Sequence, residues 1–531
     1  MIQREENRYS LRGPFNLILA FLGGILLTML LFHALKKEIH AVRNDKVDEV
    51  MQYIERYYVD TVNKNVLLED AIKGMLQSLD PHSTYANTME NRQEAELLEG
   101  AFEGVGIQFN IMNDTIMVVA TISGGPSERV GIRAGDRIVT VNDALVAGVG
   151  IESNKVMKLL RGKKNSVVKV GIMRTGFKEI YHYDIRRDVI PTYTVDVSYM
   201  IDNQVGYIKI NQFGSTTPEE FDRALTRLTH SGMTKLILDL RGNPGGYLDA
   251  AILVCDELLS AGEMIVYTEG LHVPTEKIYA TASGKFETGE LVVLIDDFSA
   301  SASEIVAGAV QDNDRGTIIG RRSFGKGLVQ KQIDLSDKST IRLTIARYHT
   351  PSGRCIQKTY SEGSDIYYQD LVRRYEHGEM NSADSIHFDQ TLKYYTKIGR
   401  VVYGGGGIMP DRFVALDRDS TLTAFYQVAN SSAFVEYAFN YTTQYSTQIK
   451  SQYPDAKSFV NKMNVNDVLY RDFIQFYVQK GGSKSLVIND RSKTEIKRWL
   501  KALIGRNLYQ EEGYYPIINV SDNVILEALR N

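Results

Sequence analysis

Twice in this chain an apolar, strand-like run stops at a turn of small residues and gives way to a helical run. In the first, 235–240 leads into Arg241-Gly-Asn-Pro-Gly-Gly246 and then 248–259. In the second, 291–295 leads through Ser299-Ala-Ser-Ala-Ser303 into 303–310. The same alternation runs from 190 to 350, with strand patterns at 205–210, 316–319 and 341–348 and a further helical pattern at 218–229. Strands that alternate with helices predict an α/β layer fold.

The blocks on either side have different patterns. Residues 40–100 are polar and helical in spacing, with Val47, Met51, Ile54 and Tyr58 on one face, then Ala71, Ile72, Met75 and Leu76 up to a stop at Leu79-Asp80-Pro81. Residues 101–187 carry β-rich runs at 115–120 and 167–173, Gly-rich turns such as Ser123-Gly-Gly-Pro126, and a short helical pattern at 154–160. They predict a small β-domain. Within the α/β block and the region following it, 356–404 is polar and tyrosine-rich and reads as an insertion. Residues 420–531 read as helical: Ser492-Lys-Thr-Glu495 is a capping-box pattern, and Ile496, Trp499, Leu500 and Leu503 share one apolar face.

Near the N-terminus, residues 15–35 are apolar apart from Asn16, Thr28 and His33. At about 1.5 Å per residue such a run spans roughly 30 Å, the hydrocarbon thickness of a bilayer. A cleaved signal peptide has a shorter apolar core and a small-x-small cleavage site, which Phe32-His33-Ala34 does not provide. The reading is an uncleaved anchor, with residues 1–14 as a short cytoplasmic tail and the rest beyond the membrane. A formal net charge of −4 argues against a nucleic-acid partner. Cys255 and Cys355 are too few for a disulfide framework, and the nine histidines form no HExxH or paired ligand spacing, so neither a metal nor another cofactor is expected.

Chemistry concentrates in 291–330. Ser301 lies on the small-residue turn, and Lys326 follows 25 positions later between Gly325 and Gly327. A serine hydroxyl needs a base to become a nucleophile at neutral pH, and a desolvated lysine can be that base. Gln330, four residues on, is able to orient the lysine without stabilising its ammonium form as a carboxylate would. The N-terminus of a helix and the Gly-rich turn at 240–246 each present N–H groups suited to an oxyanion. A plainer reading competes, since Ser301-Ala-Ser-Glu304 is itself a capping box and most loop lysines are simply solvated. The spacing alone leaves both readings open.

Several ordered motifs decide for the first. Ser299-Ala-Ser-Ala-Ser-Glu-Ile305 and Phe324-Gly-Lys-Gly-Leu-Val-Gln330 resemble the carboxy-terminal processing peptidases, the tail-specific serine proteases that carry a PDZ domain. Leu79-Asp-Pro-His-Ser-Thr-Tyr85, Phe102-Glu-Gly-Val-Gly-Ile107, Gly125–Asp136, Leu238–Gly246, Tyr348–Arg354 and Gly407-Ile-Met-Pro-Asp411 follow the family in the same order, together covering roughly 45–415. The resemblance implies Ser301 as nucleophile, Lys326 as general base, Gln330 as its positioner, and the N–H groups of Ala302 and of Gly245 or Gly246 as the oxyanion hole. It implies a crotonase-like, Clp-protease-like α/β core at 188–419. It also implies a PDZ domain at 101–187 whose loop Gly104, Val105, Gly106 and Ile107 takes a substrate's C-terminal carboxylate. The expected setting is a bacterial inner membrane with the catalytic part in the periplasm, acting on protein or peptide substrates. Three departures stand out: the insertion, the 420–531 extension, which is read as a surface for self-assembly or a regulatory partner, and Val105 where relatives often carry isoleucine. The competing function is a non-catalytic PDZ adaptor with a peptidase-like scaffold; retention of both Ser301 and Lys326 argues against it.

Overall fold

The computed structural model describes residue 28 and residues 46–122, 124–174, 176–177, 179–282, 284–416 and 419–530. The anchor expected at 15–35 and the tail before it lie outside these, apart from Thr28. Among the described residues no helix is long and apolar enough to cross a membrane. The chain divides into two compact units, 1–75 and 76–531. The first contributes the helix Lys46–Tyr57 and most of Lys64–Gln77.

The centre of the second unit is a six-stranded sheet. Its order is Val195–Met200, Val205–Ile210, Lys235–Asp239, Glu290–Ile295, Thr317–Gly320 and Arg412–Phe413. The first pair is antiparallel and every later pair parallel. Side chains alternate between two buried faces. Leu236, Leu238, Leu291, Val293 and Ile295 pack with the helices Thr217–His230, Leu248–Asp256 and Ala302–Asp312. Ile237, Val292 and Leu294 face the other way, onto Val524, Ile525 and Ala528 of the C-terminal helix Asn523–Arg530. Strands buried on both faces read as unbroken apolar runs, which is why these were visible in the sequence. The last helix of the extension is thus part of the core.

A second sheet joins Thr84–Ala86, Thr340–His349, Met264–Gly270 and Val273–Tyr279, with Leu328–Asp334 paired to Thr340–His349. Of these, only Thr340–His349 was anticipated. Leu328–Asp334 is exposed over most of its length, so its side chains carry no period-2 signal. The β-domain is a sheet in the order Ile107–Met112, Thr115–Thr121, Arg137–Val141, Val167–Met173 and Ile180–Arg186, with the helix Ser153–Leu160 against its core. Ala101–Gly104 pairs with Asp188–Pro191, so strand pairing carries this block a few residues past 187.

The insertion holds the helix Ser364–Glu376 and the hairpin Lys393–Tyr395 with Val401–Tyr403. The extension is helical as expected, packed around Phe434, Phe459, Phe473, Ile496 and Leu500. One detail differs: its long helix runs Asp490–Tyr509, and Asn489 is the cap, its Oδ1 accepting from the Ser492 N–H at 2.8 Å. The capping pattern at Ser492 lies inside the first turn, because Asn489 offers the same kind of acceptor three residues earlier.

Candidate active site

Lys235–Asp239 and Glu290–Ile295 are adjacent parallel strands, so the turns leaving their C-terminal ends meet; ligand crevices of open α/β sheets form at such ends. Polar atoms, most of them buried, stitch the two turns together. The Asn243 carbonyl accepts from the Ala300 N–H at 3.0 Å and the Ser303 hydroxyl at 3.0 Å. Ser299 donates to the Leu240 carbonyl at 2.9 Å, and the Gly242 N–H to Asp296 at 2.9 Å.

Ser301 precedes the helix Ala302–Asp312 at φ 54° and ψ −113°. A non-glycine residue keeps such a conformation only where its surroundings over-determine it. Here the helix itself does so. The Ser301 N–H donates to Glu304 Oε2 at 2.9 Å, while its carbonyl accepts from the Glu304 N–H at 2.8 Å and the Ile305 N–H at 3.0 Å. The capping motif read in the sequence is therefore used, and Glu304 carries it from three residues into the turn.

Glu304 is fully buried and reaches across to the lysine loop. Oε2 also accepts from the Lys326 N–H at 2.8 Å, and Oε1 from the Ser323 hydroxyl at 2.6 Å and the Gly325 N–H at 2.7 Å. Burial pushes its carboxyl up to about 7, with those donors pulling the other way. On the opposite side the buried Tyr348 hydroxyl lies 3.0 Å from the Ser301 carbonyl and 2.7 Å from the Lys326 carbonyl. Serine turn and lysine loop are thus clasped from both sides.

The Lys326 ammonium donates to Gln330 Oε1 at 3.1 Å. Burial holds its pKa below the ordinary lysine value; Glu304 and Asp80 oppose that, and Arg342 adds to it. Gln330 lies on Leu328–Asp334, and its Nε2 donates to the carbonyl of His82.

The glycine turn presses on the serine. A Cβ on Gly245, whose φ is +102°, would stand 2.7 Å from the Ser301 Cβ and 3.0 Å from the Ala302 nitrogen. The Gly245 N–H is already given to Asn243 Oδ1 at 2.9 Å, whereas Gly246 is exposed. Among the described residues nothing accepts the Gly246 or Ala302 N–H. Of the two glycines the sequence left open, Gly246 is the one with a free donor.

Behind this turn, Asp239 binds Arg241 at 3.0 and 2.6 Å and the Tyr207 hydroxyl at 2.7 Å. Arg241 also forks onto Asp522, at 2.9 and 3.0 Å. Sequence reasoning did not single out Glu304 as a bridge, nor Tyr348, Asp522 or His82. Glu304, Tyr348 and His82 stand in motifs that were visible and Asp522 in none, and each has a partner far along the chain.

In the β-domain, Gly104, Val105 and Gly106 are buried and Ile107 is half-buried. The Val105 carbonyl accepts from Ser127, N–H at 3.0 Å and hydroxyl at 2.7 Å, and the Gly106 carbonyl from the Ile122 N–H at 3.0 Å. Among the described residues nothing accepts the Val105 or Gly106 N–H. Ile107–Met112 is an edge strand of its sheet. Free loop amides next to an open strand edge suit an extended peptide that ends in a carboxylate.

Residues 204–364 match the family model for peptidase family S41, and 104–180 that for a PDZ domain. Residues 33–90 match the N-terminal domain of the activating protease CtpB, and 424–510 a family of unknown function. The chain is 38% identical over 315 residues to the carboxy-terminal processing protease CtpA of Bacillus subtilis, covering 59% of this chain and 66% of that one. For CtpB of the same organism the identity is 34% over 317 residues, covering 59% and 65%. For the carboxy-terminal-processing protease of Bartonella bacilliformis it is 33% over 341 residues, covering 64% and 78%. The match thus spans just under two thirds of the length of the two Bacillus relatives. Among solved structures, the photosystem II D1 C-terminal processing protease is 29% identical, with 58% of this chain and 89% of that one covered and a TM-score of 0.35.

Proposed function

The chain belongs to the carboxy-terminal processing peptidases of family S41, with a PDZ domain, and from that membership we propose that it is a serine endopeptidase working by a Ser301/Lys326 dyad. Lys326, whose pKa burial lowers, takes in its free-amine form the proton from Ser301 Oγ as the oxygen attacks a substrate carbonyl. The Ala302 and Gly246 N–H groups receive the negative charge that develops on the carbonyl oxygen. Collapse of the tetrahedral intermediate breaks the C–N bond. The proton held by Lys326 passes to the leaving amine, and an acyl-enzyme on Ser301 remains. Water, deprotonated by the same lysine, then releases the second product and restores the serine.

The observation that carries this reading is the clasp of Glu304 and Tyr348 on both Ser301 and Lys326, with Gln330 Oε1 on the lysine nitrogen. A Gln330 oxygen occupies one N–H of the lysine and leaves the amine lone pair for the serine proton. The substrate is a protein or peptide whose free C-terminus adds as a strand beside Ile107–Met112, its carboxylate on the 104–107 loop. Residues 15–35 serve as a membrane anchor, with the catalytic part in the periplasm.

Purified wild type, Ser301→Ala and Lys326→Ala, given a denatured substrate with a free C-terminus, test the reading. Wild type cleaves it, and neither variant does while both melt as the wild type does. Undiminished cleavage by Lys326→Ala sinks the dyad. Comparing protein C-termini in cells carrying wild type or Ser301→Ala identifies the substrates.

A further inference from the structure

The amide of Gln330 has two ends, and only one orientation lets it serve the lysine. Its oxygen faces Lys326 Nζ at 3.1 Å and its nitrogen faces the His82 carbonyl, 248 residues earlier in the chain. A carbonyl only accepts, so His82 forces the NH2 toward itself and the oxygen toward the lysine. An inverted amide would set oxygen against oxygen and a donor against the lysine nitrogen. The position of the His82 carbonyl therefore decides what the base experiences.

That carbonyl sits on a turn held from both sides. From inside, Asp80 Oδ1 accepts the N–H groups of His82 and Ser83, each at 2.8 Å, and the Thr344 hydroxyl at 3.1 Å; Oδ2 accepts the Ser83 hydroxyl at 2.6 Å. From outside, the turn is held by the helix Ser364–Glu376 of the insertion. The Tyr367 hydroxyl lies 2.8 Å from His82 Nε2 and the rings meet edge to face at 5.2 Å, while Tyr368 donates to the Pro81 carbonyl at 2.6 Å. Tyr367 has a second route to the lysine loop. Gln357 Nε2 lies 3.4 Å from its hydroxyl, and Gln357 Oε1 accepts the Gly327 N–H at 2.8 Å.

We propose that Tyr367, supplied by the insertion, is a positioning residue for the Lys326 base, acting through His82 and the orientation of the Gln330 amide. It rests on Lys326 being the base. The charged groups around Lys326 are Glu304, Asp80 and Arg342, while Lys358, which stacks on Phe324 and Tyr367 at 4.0 and 4.2 Å, is paired with Asp370 at 2.9 Å. His82 is pushed down to about 4, chiefly by burial and next by Lys326, so it stays neutral across the working range and contributes geometry rather than charge.

Tyr367→Phe keeps the ring and removes the hydroxyl. The readout is the rate at which a fluorophosphonate labels Ser301 across pH in the full chain, alongside KM for peptide. With the amide free to turn its NH2 toward the lysine, the plateau rate falls about 10-fold, the ascending limb moves to lower pH, and KM changes less than about twofold. His82→Leu removes the partner from the other side and gives the same shift. In a Gln330→Ala background the Tyr367→Phe effect disappears, since the two act as one unit. An unchanged rate, a lowered rate with the limb unmoved or raised, or an equal loss in the Gln330→Ala background overturns the proposal. Labelling of Lys326→Ala at the wild-type rate would instead overturn the dyad itself, which separates the two failures.

Discussion

The main-chain nitrogens of Ser301 and Lys326 donate to one and the same oxygen, Glu304 Oε2, at 2.9 and 2.8 Å. Residues 25 positions apart are thereby referenced to a single buried atom. A shift of either segment breaks a hydrogen bond where water is excluded, so the main-chain spacing of Ser301 and Lys326 is set by the fold.

Removing that atom affects both partners. Glu304→Ala leaves three N–H groups and a hydroxyl without their acceptor and opens a cavity. It should cost about 3–5 kcal/mol of stability and abolish turnover. Denaturant unfolding and peptide cleavage check it; a variant as stable as wild type contradicts the bridging role.

Lys326 carries a pH signature. Burial lowers its pKa, so between that lowered value and the ordinary lysine range the folded state holds fewer protons than the unfolded one. Stability from this group therefore rises with pH through that window, and at neutral pH, below the ordinary lysine range, burying it is a cost. Lys326→Met should melt at or above the wild-type temperature at pH 7 while losing cleavage by at least about 10⁴-fold. Wild-type activity should reach half its maximum well below the roughly 10.4 of a free lysine. A limb near that value means the amine is not desolvated.

Gly246 has φ +146°, and a Cβ there would lie 2.0 Å from the Phe213 carbonyl oxygen. Gly246→Ala must displace the turn and the N–H assigned to the oxyanion. The expected loss is about 10²–10³ in kcat. Single-turnover acylation is the measurement, and a loss confined to KM speaks against the assignment.

Asp522 ties the extension to the 240–246 turn through Arg241, both being mostly buried. Asp522→Ala should destabilise the protein by about 1–3 kcal/mol and lower kcat more than it raises KM. Thermal melts and steady-state kinetics decide it; unchanged kcat means that the extension only completes the core.

The proposed capture of a peptide end by the 104–107 loop requires a free carboxylate. A peptide ligand with a C-terminal carboxamide should bind at least about 10-fold more weakly than the acid, read by calorimetry on Ser301→Ala. Equal affinities exclude carboxylate capture by this loop.

Much of this protein is determined locally and was legible in its sequence. The apolar runs at 235–240 and 291–295 are strands because both faces are buried, and such burial writes itself into consecutive residues. The turns at 240–246 and 299–303 declare themselves by small residues, and the dyad candidates by residue type and spacing. Edge-exposed strands such as Leu328–Asp334 were not legible, because a side chain in water places little demand on its neighbours. Which glycine keeps a free N–H was settled inside the turn itself, where the Asn243 side chain takes the Gly245 N–H two residues on; tertiary structure pressed that turn against Phe213. It alone brought His82, Gln330 and Tyr367 together, and it alone made Asn523–Arg530 cover the second face of the sheet. Of these the sequence could name Gln330 but not its partners: hydrogen bonds and apolar contacts between segments hundreds of residues apart depend on shape and closure, which no local pattern encodes.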